Sequence, residues 1–270
     1  EMSASLVGSE MCIRDRYKII KQMVKERRNF WLEFDIRNHF KLGPVKYHNV
    51  VASIKGTKYP DEYVIISGHL DSYDVATGGI DCGTGIGPMM EAARMIALSG
   101  AKPKRTILFV AFAGEEFGLL GAKAYVKTHA KELGKIANLF NRDGGPTPPV
   151  GISVPQAMYD DFVEVCKPVK EIRADYPFEV KVAKPFKRPT QSGGTDASVF
   201  AVEGVPTFGF NTQDIKGYNF SYGEIWHTER DLYTKNIPEY QEHAATVTAV
   251  VALGIANLSK QLSREGMHKK

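Results

Sequence analysis

The chain has little cysteine, no long apolar run and no block of one charge, and each shortage removes a class of function. Its 270 residues include three cysteines, Cys12, Cys82 and Cys166, whose spacing fits neither a zinc finger nor a disulfide framework. They leave the redox compartment open. No apolar stretch approaches the roughly 20 residues that a membrane-spanning helix needs, so no span is expected. Lys and Arg number 35 against 31 Asp and Glu, a formal net charge of +4, and the two signs are interspersed. Without a basic stripe, nucleic acid is not an expected partner. Apolar side chains are plentiful at 43% of residues, enough for the core of one α/β domain.

The first 16 residues read EMSASLVGSEMCIRDR. Their MCIRDR core looks like a translated sequencing-library adapter, so 1–16 is set aside from the fold together with Cys12. Behind it, Ile19, Ile20, Met23 and Val24 fall at helical spacing over 17–28. Alternation predicts strands over 30–37 and 46–55. Continuous apolar runs over 62–67, 106–113 and 136–141 predict strands covered on both faces. Helices are predicted over 84–99, 119–132 and 158–171, the last ended or bent by Pro168. A further helix starts at Asn236 as cap and runs to 262. An edge strand is expected at 178–182, another strand at 207–210, and a frayed basic tail over 264–270. The alternation predicts an α/β three-layer sandwich, with a mixed, mainly parallel central sheet flanked by helices.

In such sheets ligands bind beyond the C-terminal ends of the strands, where His69, Glu115, Glu116 and Asp143 fall, and five candidate metal ligands are spread along the chain at predicted strand ends and loops. They are His69 in Gly68-His69-Leu70-Asp71, Asp81 in Gly79-Ile80-Asp81-Cys82-Gly83, and Glu116 in Gly114-Glu115-Glu116. Asp143 in Asn141-Arg142-Asp143-Gly144-Gly145 and His227 in Trp226-His227-Thr228 complete the set. Imidazole and carboxylate donors without a thiolate suit Zn²⁺ or a similar ion in a hydrolytic site. Each motif also has a bland reading: a surface histidine beside a turn, acids capping a helix, a turn-forming Asp, or a histidine packed on Trp. Their order and shared edge favour the metal. Two divalent ions bring four positive charges against three from Asp81, Glu116 and Asp143, and the remainder favours an activated water. Glu115 is then free to carry its proton, and the Asp71 carboxylate is expected to hold the other ring N–H of His69. His39, His48, His129, His243 and His268 read as structural.

The motifs Gly68-His69-Leu70-Asp71-Ser72, Asp81 followed by Gly83-Thr84-Gly85, Glu115-Glu116-Phe117-Gly118, Asp143 and His227-Thr228-Glu229-Arg230-Asp231 carry a family resemblance. Over 46–262 the chain resembles the di-zinc aminopeptidase and glutamate carboxypeptidase family of metallopeptidases. Thr57-Lys58-Tyr59-Pro60, Pro103-Lys104-Arg105-Thr106 and Gly194-Thr195-Asp196 bring it nearest to plasma glutamate carboxypeptidase-like enzymes. The resemblance implies a zinc exopeptidase that acts on short peptides or dipeptides with two Zn²⁺, or other divalent ions. It implies that Asp81 bridges them, His69 and Asp143 complete one, and Glu116 and His227 the other. Glu115 would be the general base with Asp71 in support, and Asp196, next to Thr195, an acid close to the site. It divides the chain into 1–16, a remnant at 17–45, the zinc peptidase domain at 46–263 and the tail at 264–270. An inserted protease-associated domain would have preceded the remnant.

Two departures stand beside the match. Cys82 follows the bridging Asp where the family carries Asp or Asn, and Trp226 stands where some relatives carry an oxyanion-stabilising Tyr. Tyr218 and Tyr222 are the candidates to replace that Tyr. The family also implies export from the cytoplasm and leaves a homodimer among the options. The rival readings are a glutaminyl cyclase-like single-zinc acyl transferase and an inactive binding ectodomain. The choice of amino or carboxyl terminus stays open and would rest on pocket walls formed by 184–196 and 213–223.

Overall fold

The computed structural model describes residues 10–33, 35, 37, 39, 42–74 and 76–266. They form two compact units that divide between Lys46 and Tyr47. The first contains α1 (Glu10–Lys25), which starts inside the segment read as an adapter. The strand predicted over 30–37 is not seen among the described residues there, and Phe34 and Ile36 lie outside them. Alternation alone supplies no partner for a strand's backbone groups.

The second unit is built on β1 (Val50–Ile54), β2 (Tyr59–His69), β3 (Arg105–Phe112) and β4 (Ile136–Asn141). Their order is β1-β3-β2-β4, with β1 antiparallel to β3 and the other pairs parallel. Side chains of opposite parity serve opposite faces. Val64, Ile66, Ile107 and Phe109 pack on α2 (Gly83–Leu98) and α6 (Pro238–Asn257). Ile65, Val110, Phe112 and Leu139 pack on α3 (Leu120–Thr128) and α5 (Ala197–Val202). Covering both faces is what makes the strand sequences continuous apolar runs. The three-layer sandwich expected from the sequence is present.

A second sheet joins β5 (Pro149–Val154), β6 (Glu179–Val182) and β7 (Phe210–Thr212) in the order β6-β5-β7, beside α4 (Tyr159–Ile172). Sequence reading misses β5 because Pro149 and Gly151 break its pattern. Gly151 is needed there: a Cβ would come within 2.2 Å of the Glu179 carbonyl oxygen. The strand expected at 207–210 begins only at Phe210. The chain before it runs beside β4, with Pro206 O accepting from Leu139 N–H at 2.9 Å.

Three further expectations are corrected. α4 continues through Pro168 to Ile172, because Val165, Cys166 and Val169 are buried in the core and their burial outweighs the hydrogen bond Pro removes. Asn236 does not cap α6: Ile237 takes the cap position, and the helix ends at Asn257. The tail is pinned as far as Gly266, with Arg264 donating to Ile136 O at 2.8 Å and Gly266 O accepting from Phe186 N–H at 2.9 Å; 267–270 lie outside the described residues.

His243 on α6 is fully buried, stacks on Tyr176 at 3.9 Å and donates through Nε2 to Pro149 O at 2.8 Å. Burial pushes its pKa down to about 4. The unfolded chain takes up this proton near pH 6.5, while the folded one resists until about 4. The stability it contributes is therefore complete above pH 6.5 and lost as pH falls towards 4, on the order of 3 kcal/mol. Urea unfolding at pH 7 and pH 4.5 checks this: His243→Gln should lose less stability on acidification than the parent. An equal loss in the two proteins would refute the assignment.

Candidate metal centre

Parallel pairing of β2 with β3 and β4 brings three strand exits to one edge. β2 ends in His69, whose Nδ1 lies 2.9 Å from the Asp71 backbone oxygen. With Nδ1 donating there, Nε2 faces Asp81 Oδ1 at 3.0 Å and Asp143 Oδ1 at 3.4 Å. Burial opposes charge on this ring, but hydrogen bonds to Asp143 and Asp81 outweigh it and raise its pKa.

The Asp71 carboxylate does something other than expected. It stands 3.9 Å from the His69 ring and instead accepts the backbone N–H of Glu115 at 3.1 Å and of Glu116 at 3.2 Å, one on each oxygen. The ring N–H expected to meet this carboxylate goes to the Asp71 carbonyl. Asp71 thus clamps the turn that leaves β3, where Gly114 adopts φ +70°.

Asp81 sits at the end of the loop from β2 to α2, and its peptide bond to Cys82 is cis. Asp231 holds this loop: Oδ1 accepts from Ile80 N–H at 2.6 Å and Oδ2 from Asp81 N–H at 3.1 Å. Gly79 lets the two loops meet, since a Cβ there would lie 2.2 Å from Leu232 C. Asp231 was absent from the sequence-based candidates. Its position in His227-Thr228-Glu229-Arg230-Asp231 was the available signal, but nothing local tells a loop-tying acid from a solvated one. Tyr222 donates its hydroxyl to Asp81 Oδ2 at 2.9 Å. Burial raises the pKa of Asp81, but its bonds to His69 and Tyr222 prevail and hold it below the ordinary value.

Across the edge, Glu116 Oε2 lies 3.0 Å from His227 Nε2, while its Oε1 is buried without a hydrogen-bond partner among the described residues. His227 adopts φ 60°. Its ring stacks on Tyr73 at 4.1 Å and lies against Trp226 at 4.2 Å. Glu115 is buried, and burial followed by the charge of Asp143 pushes its pKa up to about 8. Asp196 is fully enclosed with both oxygens unpartnered, and burial raises its pKa to about 7. Thr195 accepts from Asn141 Nδ2 at 2.7 Å, and Asn141 accepts from Ser67, so the 194–196 loop is tied to β4 and β2.

The five sequence-predicted ligands, Glu115 and Tyr222 therefore share one edge. Tyr218 does not join them: its hydroxyl bonds Glu239 and its ring meets Tyr240 at 5.3 Å. The Trp226 ring lies against His227, its backbone N–H donates to Tyr222 O at 2.9 Å, and half of the residue faces solvent. A hollow of about 450 Å³ bounded by Asn49, Tyr63, Tyr125 and Glu132 contains none of these residues.

So many acids in a low-dielectric edge repel one another unless cations neutralise them. Donor atoms of His69, Asp81 and Glu116 all lie within 4.8 Å of one another, as do those of His69, Cys82 and Asp143. With the orphaned Glu116 oxygen beside them, these nitrogen and oxygen donors, with one sulfur among them, fit a divalent metal.

Residues 49–251 match the model for peptidase family M28. Carboxypeptidase Q of Rattus norvegicus is 32% identical over 231 residues, which cover 84% of this chain and 46% of that protein. A solved structure described as a peptidase M28 precursor from Shewanella amazonensis SB2B aligns with a TM-score of 0.66 and 34% identity, over 80% of this chain and 46% of that one. BSAP, a zinc aminopeptidase from Bacillus subtilis, shares the fold at a TM-score of 0.59 and 21% identity, over 82% of this chain and 53% of its own. The chain spans about half the length of the curated relatives it matches. The matched residues run from the edge strand before the site into the helix behind it, and on that extent the chain belongs to peptidase family M28.

Proposed function

We propose that the chain carries the catalytic site of a zinc-dependent exopeptidase that hydrolyses short peptides or dipeptides with the help of two ions. The observation that carries this reading is the pair of donor groups meeting at His69, with Glu115 beside them and clear of both. His69 and Asp143 would hold one ion, Glu116 and His227 the other, with Asp81 shared. Zinc, when bound, would polarise the scissile carbonyl and make a water acidic enough to attack near neutral pH.

The chain's own groups do the rest. Glu115 takes the proton of the attacking water and returns it to the leaving amine. Asp71 fixes the backbone from which Glu115 and Glu116 project, so base and ligand keep one spacing. Asp231 does the same for Asp81. Burial excludes competing water from Glu115 and Asp196. Similarity to carboxypeptidase Q and to a zinc aminopeptidase supports both the reaction class and the metal. Export fits the Shewanella relative, described as a precursor. Among the described residues no helix is long and apolar enough to cross a membrane.

Zinc analysis and a dipeptide panel test the reading. We expect two zinc ions per chain, loss of hydrolysis on chelation and recovery on re-addition. Glu115→Gln should lower kcat by about 10²–10⁴-fold with zinc content unchanged. Hydrolysis indifferent to chelator would sink the proposal, and one ion with cyclisation of peptides bearing N-terminal Gln would replace it with acyl transfer.

The clamp makes a separate prediction. Asp71→Asn presents an NH₂ group to one of two backbone N–H donors, so kcat should fall about 10–100-fold, the usual size for groups that orient metal ligands. KM should stay within about twofold. Unchanged kcat in a folded variant would show that the turn holds its shape without the clamp.

A further inference from the structure

Cys82 is the group at this edge that the mechanism leaves unused. Its thiol is buried, outside any disulfide, and lies directly behind the residue that links the two donor groups. Two glycines make room for it: a Cβ on Gly85 would stand 2.5 Å from Sγ, and one on Gly68 3.2 Å. The sulfur is thereby held between the exit of β2 and the start of α2. Its S–H points at Arg142 O, 3.0 Å away and one residue before Asp143. Donor atoms of His69, Cys82 and Asp143 lie within 4.8 Å of one another. Donors around a tetrahedral zinc stand roughly 3.3–3.8 Å apart, so shifts of no more than about 1.5 Å close them on one ion.

Resting on the reading that this edge binds metal, we propose that Cys82 is itself a metal ligand. With His69 and Asp143 it holds one ion of the pair through a thiolate, which makes that position selective for thiophilic divalent ions. Binding forms a sulfur–metal bond, the thiol proton leaves to solvent, and nothing is oxidised or reduced. Arg142 O gives up only a weak S–H donor. The thiolate also changes the charge balance, because Asp81, Glu116, Asp143 and Cys82 together match two divalent ions. Thiolate favours zinc, cadmium and cobalt over magnesium, calcium and manganese.

The test titrates Co²⁺ or Cd²⁺ into the metal-free chain, following absorption and, in parallel, heat. We expect a sulfur-to-metal charge-transfer band that saturates at one ion per chain, vanishes in Cys82→Ser and survives in Cys12→Ser and Cys166→Ala. Cadmium affinity at that position should fall at least about tenfold in Cys82→Ser. X-ray absorption of the zinc-loaded parent should show about half a sulfur neighbour per zinc at about 2.3 Å, since one of the two ions carries it, a measurement that needs no variant. Ions that bind with heat but without the band, or a zinc shell of nitrogen and oxygen alone, overturn the proposal and leave the metal reading standing. No uptake of any ion overturns both.

Discussion

Two backbone N–H groups meeting one carboxylate join the separate parts of this edge. Asp71, just beyond β2, accepts the amides of Glu115 and Glu116, just beyond β3. Parallel pairing already places these exits side by side, but pairing ends at His69 opposite Phe112 and says nothing about the chain after it. The clamp extends the register past the last ladder bond. It also satisfies two donors that a tight turn would otherwise leave unpaired. Because the same residue's carbonyl orients the His69 ring, a single aspartate couples imidazole tautomer to glutamate position.

Asp231 repeats the device on the opposite side. Its two oxygens take the amides of Ile80 and Asp81, tying the loop before α2 to the segment that carries His227. Burial raises the pKa of Asp231 too, against the pull of these two amides, whereas Glu115, Glu116 and Asp196 are pushed up, by burial first, with no backbone amide bonded to them among the described residues. The edge therefore holds two populations of acid. One stiffens loops. The other is kept under electrostatic strain that cations would relieve.

That division explains how much was legible in the sequence. Continuous apolar runs mark β4 at both ends, β3 within one residue and the buried middle of β2, whose ends run three and two residues further, since burial on both faces writes itself into composition. His69, Glu116 and Asp143 are legible because they sit where those runs stop, whereas Asp81 and His227 lie in loops that no run marks. β5 is not legible, because Pro149 breaks the strand pattern and Gly151 answers to the close approach of Glu179 rather than to strand propensity. The role of Asp71 was misjudged for a related reason: spacing placed its carboxylate near His69, but nothing in local sequence shows that β3 presents two free amides to it. Asp231 and Tyr222 lie 150 and 141 residues from Asp81, and only the fold brings them there. Tyr218 and Tyr222 are equivalent in sequence; Glu239 on α6 claims the first, and Asp81 the second.

The edge is also lopsided in depth. The side chains of His69, Glu116 and Asp143 are 1%, 4% and 14% exposed, whereas His227 is 32% exposed and its ring is flanked by the open aromatic faces of Tyr73 and Trp226. On the proposed reading, the inner position is rigid, enclosed and backed by Cys82, while the outer one opens to solvent. Glu115 and Glu116 are adjacent on the turn that Asp71 clamps, so the base is fixed relative to the outer pair. On that reading the exposure of His227 separates the two positions: an ion enclosed with a thiolate would exchange slowly, whereas one held in part by an open imidazole would exchange more readily and could change partners.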